Sequence, residues 1–114
     1  ELGRVVTDVR ASEVLLKRAA QSVDLAKADP TEHHVAQASL DVAKVRAHST
    51  ETALKASSKL IELAGSRGSQ RQTGLDRFWR NARVHTLHDA SRWKYYFIAN
   101  FALNGVIPPR RGTL

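Results

Sequence analysis

Residues 31–65, TEHHVAQASLDVAKVRAHSTETALKASSKLIELAG, form the stretch that decides the fold. Thr31 is suited to cap a helix N-terminus, Glu32 is favourable in a first turn, and Gly65 is a typical helix stop. We therefore predict one long helix over residues 31–64. Two stripes of small and apolar side chains run along it, so it should pack on two neighbours, one of which can be another subunit. The stripes are Val35, Ala38, Val42 and Val45, and Ala36, Leu40, Ala43, Ala47, Leu54, Ile61 and Ala64.

The segment before this helix is also helical in pattern. Apolar residues recur at alternating three- and four-residue steps, which predicts a helix over residues 1–28 with a bundle-type seam. Asp29-Pro30 should end it, because proline disfavours helix in the residue before it. The predicted seam is Leu2, Val5, Val9, Ser12, Leu16, Ala19, Val23 and Ala26.

The segment after it begins with a polar, Gly-rich loop at residues 65–74. Further helices are predicted over 75–87 and 90–103, with Asp89 as the cap of the last one. No segment has the alternating pattern of a strand. We therefore predict an all-α domain over residues 1–114, folded as an antiparallel four-helix bundle.

The charge of the chain lies in its second half. Residues 1–65 carry nine Lys/Arg and nine Asp/Glu, which cancel, whereas residues 66–114 carry nine Lys/Arg and only Asp76 and Asp89, a net of +7. A basic half favours an anionic partner, and phosphate is the usual one. The phosphate can belong to a cofactor, a nucleic acid or a membrane surface.

Other features of composition exclude several classes of protein. There is no cysteine, so disulfides and thiolate metal sites are excluded. No apolar run reaches the roughly 20 residues that span a bilayer, and no signal peptide is recognisable, so we expect a cytoplasmic protein without membrane contact. The chain opens at Glu1, already in helical phase and without an initiating Met, which predicts that it belongs to a longer parent protein.

A specific resemblance lies in residues 75–89, LDRFWRNARVHTLHD, and continues in Trp93-Lys94-Tyr95 and Leu103-Asn104-Gly105. This block resembles the last part of the acyl-CoA dehydrogenase superfamily, and is most similar to its branch of flavin monooxygenases acting on dibenzothiophene and other sulfur compounds. The resemblance is strong over residues 58–108 and only architectural over 1–57.

The resemblance implies a large parent flavoenzyme of three domains, of which this chain is the C-terminal helical bundle. The flavin would lie between a middle β-domain and the bundle, and bundles from several subunits would build the core of a homotetramer. A monooxygenase of this branch would use reduced FMN from a separate flavin reductase, whereas an acyl-CoA dehydrogenase would use FAD and a CoA thioester. The isolated chain should be inactive in either case.

His85 and His88 are the first candidate catalytic residues. They are three residues apart on a predicted helix and so share a face, and histidine transfers protons near neutral pH. The resemblance implies that His88 faces the flavin and handles protons, with His85 in support. It also matches Asp89 to the catalytic Glu of the dehydrogenases, but Asp is one methylene shorter, which favours oxygenation. Without the resemblance, packing or capping would be the simpler explanation of both histidines.

The Gly-rich loop supplies the candidate cofactor-binding residues. Glycine lets a backbone approach a ligand closely, and free N–H groups can bind phosphate. The resemblance implies that Gly65 and Gly68 allow contact with the flavin of a neighbouring subunit. We assign Arg67 and Arg71 to the flavin phosphate or to contact with the neighbouring subunit. Ser66 and Ser69 replace a glycine and an aromatic residue of the dehydrogenase loop, which fits the shorter FMN. A plain helix-to-helix turn is the structural alternative.

Other sequence features favour structure over chemistry. Arg80 should pair with an acid inside the bundle or tetramer, and Asp76, four residues before it, is itself a favourable partner. Aromatic residues at helical spacing should form core and interface. No third ligand completes a zinc site with the histidine pair, so no metal is expected. The charge alone also permits a basic nucleic-acid-binding module, although no such motif is present and no nucleic-acid partner is expected. An oligomerisation bundle without chemistry is a further alternative. The aromatic residues are Trp79, Trp93, Tyr95, Tyr96, Phe97 and Phe101.

Overall fold

A computed structural model describes residues 1–110 of the 114-residue chain. The described part is all-α, as predicted, and the last four residues of the predicted domain, 111–114, lie outside it. It measures 53 × 25 × 24 Å. The helices are α1, Leu2–Ala28; α2, Glu32–Ala64; α3, Asp76–Leu87; and α4, Ser91–Asn104.

The ends of α1 and α2 follow from their sequence signals. The Asp29 amide donates to the Leu25 carbonyl at 2.9 Å, which closes α1 just before Pro30. The Thr31 hydroxyl accepts a hydrogen bond from the His34 amide at 3.1 Å, so Thr31 is the N-cap of α2, as predicted. Gly65 ends α2 with φ 69° and ψ −162°, a conformation essentially restricted to glycine.

Helix α2 is the centre of the fold, and α1, α3 and α4 all pack against it. Helix α1 lies antiparallel to α2, because its start, middle and end are tied to progressively earlier parts of α2. Lys59 Nζ lies 3.0 Å from Glu1 Oε2. The Ser12 hydroxyl lies 3.0 Å from His48 Nδ1, and the Ser22 hydroxyl donates to Asp41 at 2.6 Å.

The core is small and built from small side chains. Leu40, only 1% exposed, is its one large member among the described residues. Small side chains let two helices approach closely, so the α1–α2 contact is tight although little apolar area is buried. The buried apolar residues are Ala19, Ala36, Ala38, Leu40, Ala43 and Ala47.

The predicted seam of α1 is only partly correct. Ala19 is buried, but Leu2 and Val9 are exposed and Leu16 is 61% exposed, while Leu15 is partly buried in its place. The physical reason is that the buried face of α1 passes through hydroxyls that pair with polar groups of α2, a pattern that an apolar count cannot find.

Asp41 is the polar centre of the α1–α2 contact. Its carboxylate is 5% exposed and accepts hydrogen bonds from Ser22, Gln37 and Lys44, the last at 3.0 Å. Arg18 Nε lies 3.5 Å away. Burial raises the pKa of Asp41, but the hydrogen bonds and the Lys44 charge outweigh burial and leave that pKa below its usual value. The carboxylate is therefore held ionised inside the helix pair.

The connection from α2 to α3 contains two short 3-10 helices, Ser66–Ser69 and Arg71–Thr73, where the sequence predicted an irregular loop. Helix α3 then runs back along α2: Phe78 and Ala82 lie beside the last turns of α2, and Asp89 lies beside Val42 and Ala43. An open apolar groove of about 450 Å³ separates this end of α3 from the start of α1.

The prediction that Asp89 caps α4 is wrong. Ala90 is the N-cap residue, and no side chain caps that end of the helix. The Asp89 carboxylate instead binds Lys94, as described below.

Candidate functional site

The two candidate catalytic histidines lie at the C-terminal end of α3. His85 is in the last turn and His88 is the C-cap residue, whose amide donates to the His85 carbonyl at 3.4 Å. Their rings meet edge to face with centroids 6.4 Å apart, and both are exposed. Within residues 1–110 neither ring has a hydrogen-bond partner. Both imidazoles are therefore presented outward, free to meet a ligand or another domain.

Asp89, the third candidate, is engaged in an ion pair. Lys94 Nζ lies 2.5 Å from Asp89 Oδ2, across the corner between α3 and α4. The lysine side chain is buried and the aspartate is three-quarters buried. The carboxylate is therefore engaged by a neighbouring cation and is not free on the surface of the corner.

The candidate cofactor-binding loop has a structural explanation for both glycines. Gly65 needs its positive φ to end α2. Gly68 is buried against the last turn of α2, where an added Cβ would lie 2.6 Å from the Ala64 Cβ and 3.0 Å from the Ile61 carbonyl oxygen. These glycines are therefore explained without a ligand, although Gly65 is open to solvent on the side that a Cβ would occupy.

Arg67 and Arg71 are the remaining candidate cofactor-binding residues of this loop. Both are exposed. Among the basic residues from 66 to 110, the structure forms ion pairs only at Arg80 and Lys94, so the charges of these two loop arginines are not neutralised by the described part of the chain. Two exposed, unpaired guanidinium groups on one short loop are suited to an anion such as phosphate.

The structure does not bring the histidines and the loop arginines together. They lie at opposite ends of α3, and a 12-residue helix is about 18 Å long. One copy of the chain thus carries two separate candidate surfaces: the histidine corner (His85, His88 and Asp89) and the arginine loop (residues 65–71).

Most aromatic residues of α3 and α4 are more exposed than predicted. Trp79, Trp93, Tyr95 and Tyr96 are all exposed, so the prediction that they form the core of this chain is wrong, although Phe97 and Phe101 are partly buried. The reason is that α2 offers only a narrow, alanine-lined surface, which α3 and α4 cover with few side chains. A role of the exposed rings in an interface stays a prediction.

Some basic residues of this region are held locally. Arg80 Nε lies 2.8 Å from Asp76 Oδ2, which is the pair that the four-residue spacing predicted, and it is formed on the surface of α3 and not inside the bundle. The Arg77 guanidinium lies 4.8 Å from the Phe78 ring centroid, within the range of a cation–π contact.

Sequence reasoning missed two residues of this region, Lys94 and Tyr95. Lys94 was noted only as part of the resemblance, yet it is the buried partner of Asp89. Burial, together with the neighbouring Glu51 carboxylate, raises the pKa of the Tyr95 hydroxyl. Glu51 is on α2, so its contact with Tyr95 links α4 to α2. The five-residue separation of Asp89 and Lys94 was an available signal, but it crosses a helix boundary where regular spacing rules do not apply.

Residues 1–110 contain neither a membrane-spanning helix nor a metal-binding cluster. None of the described helices is long and apolar enough to cross a membrane. No three His, Asp or Glu side chains in this part of the chain are grouped closely enough to hold a metal ion.

The relationship to known proteins is clear over most of the chain. Residues 1–93 match the family model described as "Acyl-CoA dehydrogenase, C-terminal domain". The chain belongs to this family. The match includes α1 and α2, so the relationship extends further toward the N-terminus than the residues that first indicated it.

Individual relatives are monooxygenases by name. The chain is 34% identical over 109 residues to the dibenzothiophene monooxygenase of Mycolicibacterium goodii. This matched region covers 93% of this chain and 26% of that protein. The chain is 43% identical over 67 residues to the dibenzothiophene monooxygenase of Rhodococcus erythropolis, and this region covers 59% of this chain and 16% of that protein. It is 27% identical over 109 residues to the "Probable FMNH2-dependent monooxygenase SfnC" of Pseudomonas putida, covering 93% and 28%. The chain thus spans about a quarter of the length of these relatives.

Proposed function

We propose that this chain is the C-terminal helical domain of a reduced-flavin-dependent monooxygenase. The observation that carries the proposal is the match of 93% of the chain to a dibenzothiophene monooxygenase. The histidine corner supports it, because it presents imidazoles rather than an available carboxylate. A small sulfur-containing compound is the substrate class that the relatives' names indicate.

His88 is the residue that we propose to handle the proton. When bound, reduced flavin supplies the electrons that activate oxygen, and the protein contributes orientation and proton control. An exposed imidazole at a helix end can donate or accept a proton near neutral pH once another domain covers it and excludes water. His85, whose ring meets that of His88, would support its orientation.

Asp89 separates this proposal from acyl-CoA dehydrogenation. In a dehydrogenase, a free carboxylate must remove the substrate α-proton. Here the carboxylate is shorter than glutamate and is held by Lys94. The residues of the corner therefore fit oxygenation better than dehydrogenation, which is the second candidate reaction of the family.

Arg67 and Arg71 would hold the flavin phosphate. Both guanidinium groups are exposed and unpaired within the described residues, and they lie at the other end of α3 from His88. We propose that the arginine loop contacts the flavin of a neighbouring subunit and the histidine corner faces the chain's own flavin, in a homotetramer. The short Ser-containing loop favours FMN over FAD, and a separate cytoplasmic reductase would supply the reduced flavin.

The test uses the full-length protein that contains this chain, with dibenzothiophene as the probe substrate. Supplied with FMN, NADH and a flavin reductase under ¹⁸O₂, it should form a product carrying ¹⁸O, detected by mass spectrometry. Full-length protein with His33→Ala, an exposed histidine at the start of α2, is the matched control for His88→Ala. The proposal is wrong if no oxygenated product forms from this or any related sulfur heterocycle and an acyl-CoA alone bleaches the bound flavin.

A further inference from the structure

Lys94 is an unusual residue in this chain. Its side chain is 3% exposed, and it is the only lysine among residues 1–110 that is buried. Lysine is almost never fully buried unless its charge is paired. Here the pair is made with Asp89 at 2.5 Å, and the surroundings include Val42, Ala43 and Arg46 of α2.

A buried ion pair is a costly way to stabilise a helix contact. Removing two charges from water offsets much of their mutual attraction, and apolar residues of similar volume are often as stabilising. Such a pair does, however, hold two elements together, because separating the groups would leave a buried charge without its partner. The Asp89–Lys94 pair therefore restrains the segment that it spans.

The corner that Lys94 closes has few other restraints. Residues 88–90 are outside both helices, and the His88 amide makes only a long, 3.4 Å bond to close α3. Helix α4 begins at Ser91 without a side-chain cap. The Asp89–Lys94 pair crosses this corner, and Asp89 directly follows His88 in the chain.

We propose that Lys94 is a positioning residue, which fixes the direction of the His88 imidazole by holding Asp89 across the α3–α4 corner. Asp89 acts as the anchor of the corner and not as a base. The catalytic consequence rests on the proposed monooxygenase function, whereas the restraint on the corner does not.

The restraint is tested by amide hydrogen exchange of the full-length protein, followed by mass spectrometry of peptides covering residues 86–92. Lys94→Met and Asp89→Asn should each accelerate exchange of that segment at least tenfold, and exchange in α1 and α2 should stay unchanged. Lys94→Arg, which keeps the charge pair, should remain within about threefold of the wild type. Lys59→Met is the matched control, because Lys59 also makes ion pairs but at the opposite end of α2. Equal exchange in wild type and both pair variants would overturn the proposal.

The catalytic consequence is tested by steady-state kinetics with reduced FMN and dibenzothiophene, normalised to bound flavin. Lys94→Met should lower kcat at least tenfold and change KM less than twofold. In a His88→Ala background it should lower kcat by less than twofold, because His88 is the residue it positions. If Lys94→Met lowered kcat by the same factor in the wild-type and His88→Ala backgrounds, its effect would be purely structural and would contradict a positioning role. If the wild type has no turnover at all, the proposed function fails, while the exchange experiment still decides whether Lys94 holds the corner.

Discussion

The α1–α2 hairpin and the region from residue 66 to 110 are built in opposite ways. The hairpin has no net charge and contains the core of alanines and Leu40. The later region is basic and exposes most of its aromatic rings. The hairpin thus balances its own charges, whereas the later region leaves cations and rings exposed.

This difference predicts that the hairpin determines stability and that the later region determines binding and catalysis. Substitutions in the hairpin should change the free energy of unfolding, and substitutions in the later region should change binding and catalysis. The candidate histidines and arginines are all exposed, and the chain spans about a quarter of the length of its relatives.

The largest expected effect is on the hairpin. Leu40→Ala should lower the free energy of unfolding by about 2–5 kcal/mol, because it leaves a cavity in a core with one large side chain. Urea denaturation followed by circular dichroism measures the change. Leu103→Ala, at a position that is 82% exposed, is the control and should have almost no effect. A similar loss at both positions would contradict the division between the regions.

The next effect is on the histidine corner. His88→Ala in the full-length protein should lower kcat by about 10²–10⁴, the usual contribution of a positioned acid or base. Its urea midpoint should not change, because the ring is exposed. Steady-state oxygenation and urea titration on the same preparation test both statements. A normal kcat of His88→Ala would show that His88 does not take part in catalysis.

A smaller effect should be seen at Asp41. Asp41→Asn should cost about 1–3 kcal/mol at pH 7, since hydrogen bonds to an ionised group are lost or weakened inside the helix pair. The folded-state pKa of Asp41 is below its unfolded value, so its contribution is present above the unfolded pKa and is lost as the pH falls through the folded pKa. The stability difference between wild type and Asp41→Asn should therefore shrink below about pH 4. Urea titrations from pH 7 to pH 2 measure it, and a constant difference would show that Asp41 is not held ionised.

The smallest effect is expected at the arginine loop. Arg67→Gln and Arg71→Gln should each weaken FMN binding about twofold to fivefold, the range expected for an exposed ion pair. The loss should diminish at high ionic strength, because salt screens exposed charges. Flavin fluorescence titration measures it, with the exposed Arg10→Gln on α1 as control. An equal loss of FMN affinity in all three variants would show that the net charge of the protein, and not the arginine loop, determines FMN binding.

How much the sequence predicts differs between the same two regions. The ends of α1 and α2 were predicted almost to the residue, because Pro30, Thr31 and Gly65 act on the backbone next to them. The pairing of Asp89 with Lys94 was not predicted, since it depends on how two helices meet at a corner. The face of α1 was partly wrong for the same reason: Ser22 is buried because Asp41 lies opposite it on α2.

The tight seat of Gly68 has a mechanical consequence. Its Cα lies so close to the last turn of α2 that even a methyl group would collide with Ala64. The segment carrying Arg67 therefore cannot move toward α2 without displacing the end of that helix. A ligand that presses this segment inward would thus act on the end of a 33-residue helix.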